Sequence, residues 1–352
     1  MELLIILLFS AFIYIICAGI IANFLEEDPT KKKLIYWGSC IVLVLLAGFR
    51  EIGWDPDSVA YLYYYNSPSI FLLAEPTFGL ISNFVRYTVN NFQFVLIIYA
   101  IIGISLKYYA IEKLTNLKYL SLIVYFSNFF LLHDFTQIRA GVAAALFLIA
   151  IIPLVEKRLI NFLLIISIAC FFHYSALILF PLWLLSNEYM KSRWKITLYL
   201  MIPIAILLHY TKISNIITAL PIDTIKYKVQ AYQEAQEVAS NSLNVFNMLY
   251  VFKYILFYVL LIFYDKIYLK YKYITILLKI YGISLAFYLI FWQNTILAMR
   301  VSELLGIVEI LLIPLLFYVI KVKSFASFVV VAISATYLYI NIFHVILVQV
   351  FK

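Results

Sequence analysis

The chain opens with an apolar stretch, LLIILLFSAFIYIICAGIIANF, at residues 3–24. A helix needs about 20 apolar residues to cross a hydrocarbon core of ~30 Å, so this stretch is long enough to span a membrane. It lacks a basic leader and a small-residue cleavage site, which favours a retained helix over a signal peptide. Stretches of similar character recur almost to the other end of the sequence.

Composition extends this reading to all 352 residues, of which 66% are hydrophobic and 12% charged. Soluble domains carry about 25% charged residues, so the class of soluble globular proteins is excluded. Backbone groups in lipid must bond internally, which favours helices. We predict an all-α polytopic membrane protein with a single domain over residues 1–352 and about 12 (11–13) transmembrane helices. Their expected positions are 3–24, 34–49, 92–111, 117–132, 138–155, 159–172, 174–187, 195–210, 246–264, 273–292, 300–320 and 324–349.

Most of the 26 basic residues lie in alternate gaps between these segments. The positive-inside rule assigns those gaps to the cytoplasm and both termini to the other side. The opposite gaps include a long loop at about 211–245, for which we expect a binding or lid role, and an amphipathic or re-entrant segment at about 76–91. The residues assigned to the cytoplasm are Lys31, Lys32, Lys33, Lys107, Lys113, Lys118, Lys157, Arg158, Lys191, Arg193, Lys195, Lys266, Lys270, Lys272, Lys321 and Lys323.

The stretch FREIGWDPDSVAYLYYY, residues 49–65, brings charge to the end of an apolar segment on the side away from those lysines. Asp57 can cap a short helix that continues through Tyr65. The pair formed by Asp55 and Asp57 also resembles metal–diphosphate chemistry, although two carboxylates are a weak signal. Arg50 opposes the positive-inside rule, so either interfacial solvation or an anionic partner must account for it.

Three further clusters break the apolar pattern on the same side. Each has a structural alternative: a helix start, a snorkelling arginine or a buried histidine. An ionisable residue at such depth usually faces a cavity or a partner, which favours function. The clusters are Glu75-Pro76, His133-Asp134-Phe135-Thr136-Gln137-Ile138-Arg139, and Phe172-His173-Tyr174-Ser175.

A last cluster begins a late helix, where Arg300 and Glu303 are three residues apart and can pair. The cysteines Cys17, Cys40 and Cys170 lie in apolar segments without metal-ligand spacing, so we interpret them as small buried hydrophobic residues. The sequence contains no nucleotide-binding motif, and its basic residues form no cluster suited to nucleic acid. We predict no cofactor and no metal site.

Taken in order, these motifs resemble the Wzy-type bacterial polysaccharide polymerases, in particular the EpsG-like branch. The resemblance extends over most of the chain. It rests on Arg50…Gly53-x-Asp55…Tyr61, Glu75-Pro76, Gln137-x-Arg139, Lys157-Arg158, Phe172-His173-Tyr174-Ser175-Ala176-Leu177 and Arg300…Glu303…Pro314.

The resemblance implies a multi-pass enzyme of the bacterial inner membrane with its active site facing the periplasm. It would move a growing glycan from undecaprenyl diphosphate to the hydroxyl of an incoming lipid-linked repeat unit, in an O-antigen, capsule or exopolysaccharide pathway. Membrane lipid, a flippase and a chain-length regulator are the implied partners, and nucleic acid is not. The candidate catalytic residues are His173, Arg139, Arg300 and Arg50. The candidate substrate-binding residues are Asp55, Tyr61, Tyr65, Glu75, His133, Gln137 and Glu303.

Guanidinium groups suit the leaving diphosphate because their planar fork binds phosphate oxygens bidentately. His173 is the first candidate for the base, with Asp55 and Glu303 as alternatives. Tyrosines 61 and 63–65 are candidates for stacking on sugars. Three other classes stay open: a lipid-linked oligosaccharide flippase or transporter, an O-antigen ligase, and a membrane O-acyltransferase.

Overall fold

A computed structural model describes residues 2–24, 28–67, 75–211 and 244–344. Every regular element in these residues is helical, which confirms the all-α class. The predicted loop at 211–245 lies almost entirely outside the described residues. In chain order the α-helices are α1 (Glu2–Phe24), α2 (Pro29–Gly48), α3 (Pro56–Asn66), α4 (Pro76–Thr88), α5 (Gln93–Leu114), α6 (Lys118–Val124), α7 (Ile138–Val155), α8 (Leu159–Phe172), α9 (Ser192–His209), α10 (Met248–Ile262), α11 (Tyr264–Tyr268), α12 (Ile274–Ile290), α13 (Thr295–Gly306), α14 (Glu309–Leu312), α15 (Leu316–Val319) and α16 (Lys323–Phe343).

Four helices of the described residues are long and apolar enough to cross a membrane by length and composition. This protein is therefore a membrane protein, as predicted. Each of the 12 predicted segments has a helical counterpart, but several are short or broken, so the count of spans stays a prediction. The four are Glu2–Ala22, Gln93–Leu114, Ile138–Val155 and Lys323–Phe343.

Among the described residues, helices of two kinds depart from the regular α form. A π-helix at Tyr125–Thr136 continues α6, and 3-10 helices occupy Tyr174–Leu184 and Ile313–Leu315. The predicted span at 300–320 is therefore broken into α13, α14, a 3-10 turn and α15. Helix α8 has 14 residues, which gives a length of about 21 Å. That is shorter than a hydrocarbon core of ~30 Å.

Contacts divide the chain into two units, residues 1–180 with 313–352 and residues 181–312. In the first unit α7 packs on α5 and α8, α2 packs on α5, and α16 packs on the π-helix. In the second unit α12 packs on α9, α10 and α13. The prediction of a single domain stays a prediction.

Helix α4 matches the predicted amphipathic segment at 76–91. Phe78, Ser82 and Val85 recur at helical spacing and are buried, whereas Phe84 and Tyr87 on the other face are exposed. A helix with one packed face and one exposed aromatic face suits a membrane interface. Its location on the periplasmic side stays a prediction.

Two predictions about individual residues are wrong. The cap of α3 is Asp55, whose carboxylate accepts from the Ser58 amide at 2.8 Å, whereas Asp57 lies in the first turn. Proline at the first helical position suits this start, because its missing N–H needs no partner there. Of the cysteines only Cys40 is buried, while Cys17 is exposed, because α1 turns one side away from the bundle.

Candidate active site

Three of the predicted site residues meet in the first unit, although they are far apart in sequence. Nη1 of Arg139 donates to one oxygen of Glu75, and Nδ1 of His173 lies 2.8 Å from the other. The exposed fractions of the side chains are 20% for Arg139, 9% for Glu75 and 14% for His173. We call these three residues the Glu75 cluster. The cluster is mostly buried, but part of each side chain is exposed, so a ligand can reach it.

Each member of the Glu75 cluster lies at the end of a helix. Glu75 immediately precedes Pro76 and α4, Arg139 is in the first turn of α7, and His173 ends α8 with an extended backbone. The hydroxyl of Thr77 donates to the Phe171 carbonyl at 2.9 Å and so ties α4 to α8. Helix ends converge here because the helices pack side by side.

Aromatic rings form the floor of the cluster. The guanidinium carbon of Arg139 lies 5.3 Å from the ring centre of Tyr61 and 5.7 Å from that of Phe78. Tyr99 of α5 packs edge-on against Phe172 and also lies next to Phe78. Guanidinium groups stack favourably on aromatic faces, which fixes their direction.

The charges around Glu75 determine what it can do. Burial raises the pKa of Glu75, but the hydrogen bond from His173 and the charge of Arg139 outweigh this and lower it to about 2. Glu75 is therefore a carboxylate at neutral pH and a poor base. A carboxylate only accepts hydrogen bonds, so Nδ1 of His173 carries a proton and Nε2 is the basic nitrogen of the neutral ring.

Arg50 and Asp55 form a separate and more enclosed pair. Nε of Arg50 donates to Asp55 at 2.9 Å and Nη1 donates to the Ala47 carbonyl at 2.6 Å. Neither side chain is exposed. Nη2 of Arg50 has no hydrogen-bond partner among the described residues, and the guanidinium lies over the Phe135 ring at 5.1 Å.

Other contacts keep Asp55 and the turn around it in place. Its Oδ1 accepts from the Ser58 amide, and the Ser58 hydroxyl accepts from the Gly53 amide at 2.9 Å. Gly53 has a φ of 97°, a conformation that favours glycine. Both carboxylate oxygens of Asp55 are thus engaged in building the turn, and its role in binding substrate stays a prediction.

The remaining candidates of the first unit point largely into the bundle. Tyr61 and Tyr65 are buried, whereas Tyr63 is 60% exposed. His133 is buried against the Phe129 ring, and Gln137 links the π-helix to α7. Of the tyrosines proposed to stack on sugars, Tyr63 is therefore the best exposed.

Arg300 and Glu303 lie on α13 in the second unit, three residues apart as predicted. On the same unit Tyr250 bonds Ser302 at 3.0 Å, and Lys253 pairs with Glu309 at 3.0 Å. The pairing of Arg300 with Glu303 stays a prediction.

Sequence reasoning missed Thr77, Phe78 and Tyr99, which hold the cluster in place. It also misplaced Lys107 and Asp134, which were assigned to opposite faces of the membrane. Lys107 lies inside α5, and its Nζ bonds Asp134 at 2.8 Å. A lysine in an apolar segment was the available signal, since buried charges usually have partners.

Comparison with known proteins adds one decisive observation, because the sequence model of the EpsG family matches residues 33–351. The chain belongs to the EpsG family. EpsG proteins are Wzy-like polysaccharide polymerases, so the resemblance seen in the motifs is confirmed. Searches of curated proteins and of solved structures each found no match.

Membership in the EpsG family extends over all three residues of the Glu75 cluster and over Arg50, Asp55, Arg300 and Glu303. It supports polysaccharide polymerisation in general terms. The donor, the side of the membrane and the chemical role of each residue are matters for the proposal below.

Proposed function

We propose that this protein polymerises oligosaccharide repeat units linked to undecaprenyl diphosphate at the periplasmic face of the bacterial inner membrane. The growing glycan would pass from its lipid diphosphate to a hydroxyl of the incoming lipid-linked unit. The observation that carries the proposal is the Glu75 cluster, in which one carboxylate holds an arginine and a histidine side by side.

The reaction breaks the bond between the anomeric carbon and the diphosphate, whose oxygen leaves with the electron pair. Arg139 is suited to stabilise that charge, because a guanidinium fixed by Glu75 and by aromatic rings needs little reorganisation. Removing one such fixed donor typically costs about 10²- to 10³-fold in turnover.

The acceptor hydroxyl attacks the anomeric carbon and must lose its proton. Nε2 of His173 takes that proton, while Glu75 holds the ring through Nδ1 and stabilises the imidazolium that forms. Glu75 is thus a positioning residue. General-base catalysis of this kind contributes roughly 10²- to 10⁴-fold.

Arg300 and Glu303 enter the proposal as further groups that bind the lipid-linked substrate, and they share one helix of the second unit. Arg50 is enclosed by its pair with Asp55, and we assign it to holding the start of α3. Membrane lipid, a flippase and a chain-length regulator are the proposed partners, and the lysine-rich gaps support a periplasmic site.

The test is chain extension by the purified protein. Incubation with lipid-linked repeat units should yield a ladder of glycans that differ by one unit. Transfer of a single glycan to a lipid A acceptor without a ladder would support a ligase, and movement of the units across vesicles without extension would support a transporter. Either outcome would overturn the proposal.

A further inference from the structure

A buried ion pair lies in the first unit, where the π-helix ends and α7 begins. Nζ of Lys107 donates to Asp134 at 2.8 Å and to the Gly141 carbonyl at 2.8 Å. The Tyr125 hydroxyl donates to the other oxygen of Asp134 at 2.7 Å. Lys107 is fully buried and Asp134 is 3% exposed.

The cost of this pair makes a purely accidental arrangement implausible. Removing two charges from water costs several kcal/mol each even after relaxation, and hydrophobic residues of similar volume often serve stability equally well. The contacts of Lys107 have a role that a hydrophobic residue could not fill, because they join the two sides of a helix break. This break is the junction at Gln137, where the π-helix ends and α7 begins. Asp134 precedes the break and Gly141 follows it.

Two glycines make room for the same contacts. A Cβ on Gly103 would lie 2.5 Å from Oδ1 of Asp134, and a Cβ on Gly141 would lie 2.7 Å from the His133 carbonyl oxygen. Only glycine therefore permits α5 and α7 to approach the π-helix this closely. The close approach and the ion pair specify a single arrangement of the break.

The π-helix itself needs such support. Its wide turns are seen in the bond from the Gln137 amide to the Leu132 carbonyl, five residues earlier, and the Thr136 hydroxyl additionally donates to the Leu131 carbonyl. Long π-helices are rare, and π turns are frequent at functional sites. Here the π-helix determines where α7 begins, and Arg139 is the second residue of α7.

We propose that Lys107 and Asp134 are positioning residues that hold the start of α7 so that Arg139 meets Glu75. The expected loss of turnover rests on the function proposed above, whereas the structural role of the pair does not. The pair fixes the backbone on both sides of the break, the backbone fixes Arg139, and Arg139 contacts the substrate. A misplacement of about 1 Å at a reacting centre can cost about 10²-fold in rate.

The main test variant is Lys107→Met combined with Asp134→Asn. It removes both charges together, and the amide retains an acceptor for the Tyr125 hydroxyl, so no unpaired buried charge is left. We expect the purified variant to stay folded, with turnover reduced roughly 10- to 100-fold and KM for the lipid-linked unit changed less than about twofold.

A matched control is Lys279→Met, which removes another buried lysine. Lys279 donates to the carbonyl and hydroxyl of Ser186 in the second unit. The control should keep its turnover. Equal losses in the control and in the test variant would show a general effect of removing buried lysines and would overturn the proposal.

A double-mutant cycle with Arg139→Lys separates positioning from plain destabilisation. If the pair acts through Arg139, neutralising it in the Arg139→Lys background should cost clearly less than in the wild-type background. The same fold loss in both backgrounds would contradict the proposal.

Hydrogen exchange gives a readout that does not depend on activity. In the test variant residues 133–142 should lose protection while the rest of α5 and α7 keeps it. Unchanged exchange there would overturn the positioning role even if the variant were inactive. If the wild-type protein formed no ladder, the proposed function would fail, and the exchange result would still decide this inference.

Discussion

The Glu75 cluster and the Arg50–Asp55 pair both join an arginine to a carboxylate in the same unit, and they differ in exposure. The Glu75 cluster keeps part of each side chain exposed and adds a histidine. The Arg50–Asp55 pair is enclosed and also builds the start of α3. The same residue types thus build the start of α3 in one place and, in our proposal, bind substrate in the other. Exposure and the remaining partners distinguish the two uses.

The largest effect on glycan length should follow from Arg139→Ala. Removing the guanidinium takes away the main stabilisation of the leaving diphosphate, so we expect turnover to fall at least about 10²-fold and long glycan to disappear. Glycan length is read on gels after incubation with lipid-linked units. The matched control is Arg158→Ala, because Arg158 is more than half exposed and its ion pair in the described part of the chain is with Glu156, two residues away. Normal glycan length in Arg139→Ala would contradict the account.

Arg300→Ala extends the same test to the second unit. Since Arg300 is proposed to bind the lipid-linked substrate, we expect this variant also to lose long glycan while the protein remains folded in the membrane. Polymer of normal length would remove Arg300 from the proposed substrate ligands.

His173→Ala tests the base. We expect turnover to fall roughly 10²- to 10⁴-fold with substrate binding largely retained, because proton transfer is lost while the phosphate ligands remain. The rate with saturating lipid-linked unit is the measurement. Near-normal turnover would move the role of base to a carboxylate.

Glu75→Gln should have a smaller effect, of roughly tenfold or more, because the amide still contacts both partners but no longer fixes the histidine tautomer. The pKa of Glu75 is about 2, below its usual 4.5. The stabilisation from its charge is therefore present above about pH 4.5 and is lost as the pH falls from 4.5 towards 2. The difference in stability between the wild type and Glu75→Gln, read from thermal unfolding in detergent, should hence narrow as the pH falls from 4.5 towards 2, and a difference that stays constant over this range would contradict the lowered pKa.

The smallest effect on turnover should come from neutralising the enclosed pair with Arg50→Met and Asp55→Asn together. We expect turnover to stay within about tenfold, because both charges are removed at once. Arg50→Ala alone should instead destabilise the protein by about 3–5 kcal/mol, since it leaves a buried carboxylate unpaired. Thermal unfolding in detergent measures this. A stable Arg50→Ala variant that loses all turnover would show that Arg50 binds the diphosphate after all.

Much of the fold could be predicted from local patterns. Apolar length located the helices, and the Glu75-Pro76 pair located the start of α4. The π-helix could not be predicted, because apolar periodicity does not distinguish i→i+5 from i→i+4 bonding in a fully buried segment. The wrong cap at Asp57 shows a similar limit, since Asp55 and Asp57 flank the same proline and only the backbone decides between them.

The members of the site could be predicted, but their arrangement could not. Glu75, Arg139 and His173 were candidates because charge is costly in an apolar chain. Nothing in the local sequence indicates that Glu75 joins Arg139 to His173, because those contacts link residues more than 60 positions apart. The assignment of Lys107 to the cytoplasm failed for the same reason, as its partner Asp134 lies in another helix.

The measurement that tests the central claim most directly is chain extension by purified wild-type protein and by Arg139→Ala, side by side, on lipid-linked repeat units. The account predicts a ladder of glycans with the wild type and none with a folded Arg139→Ala variant. Ladders of equal length from both proteins would contradict it.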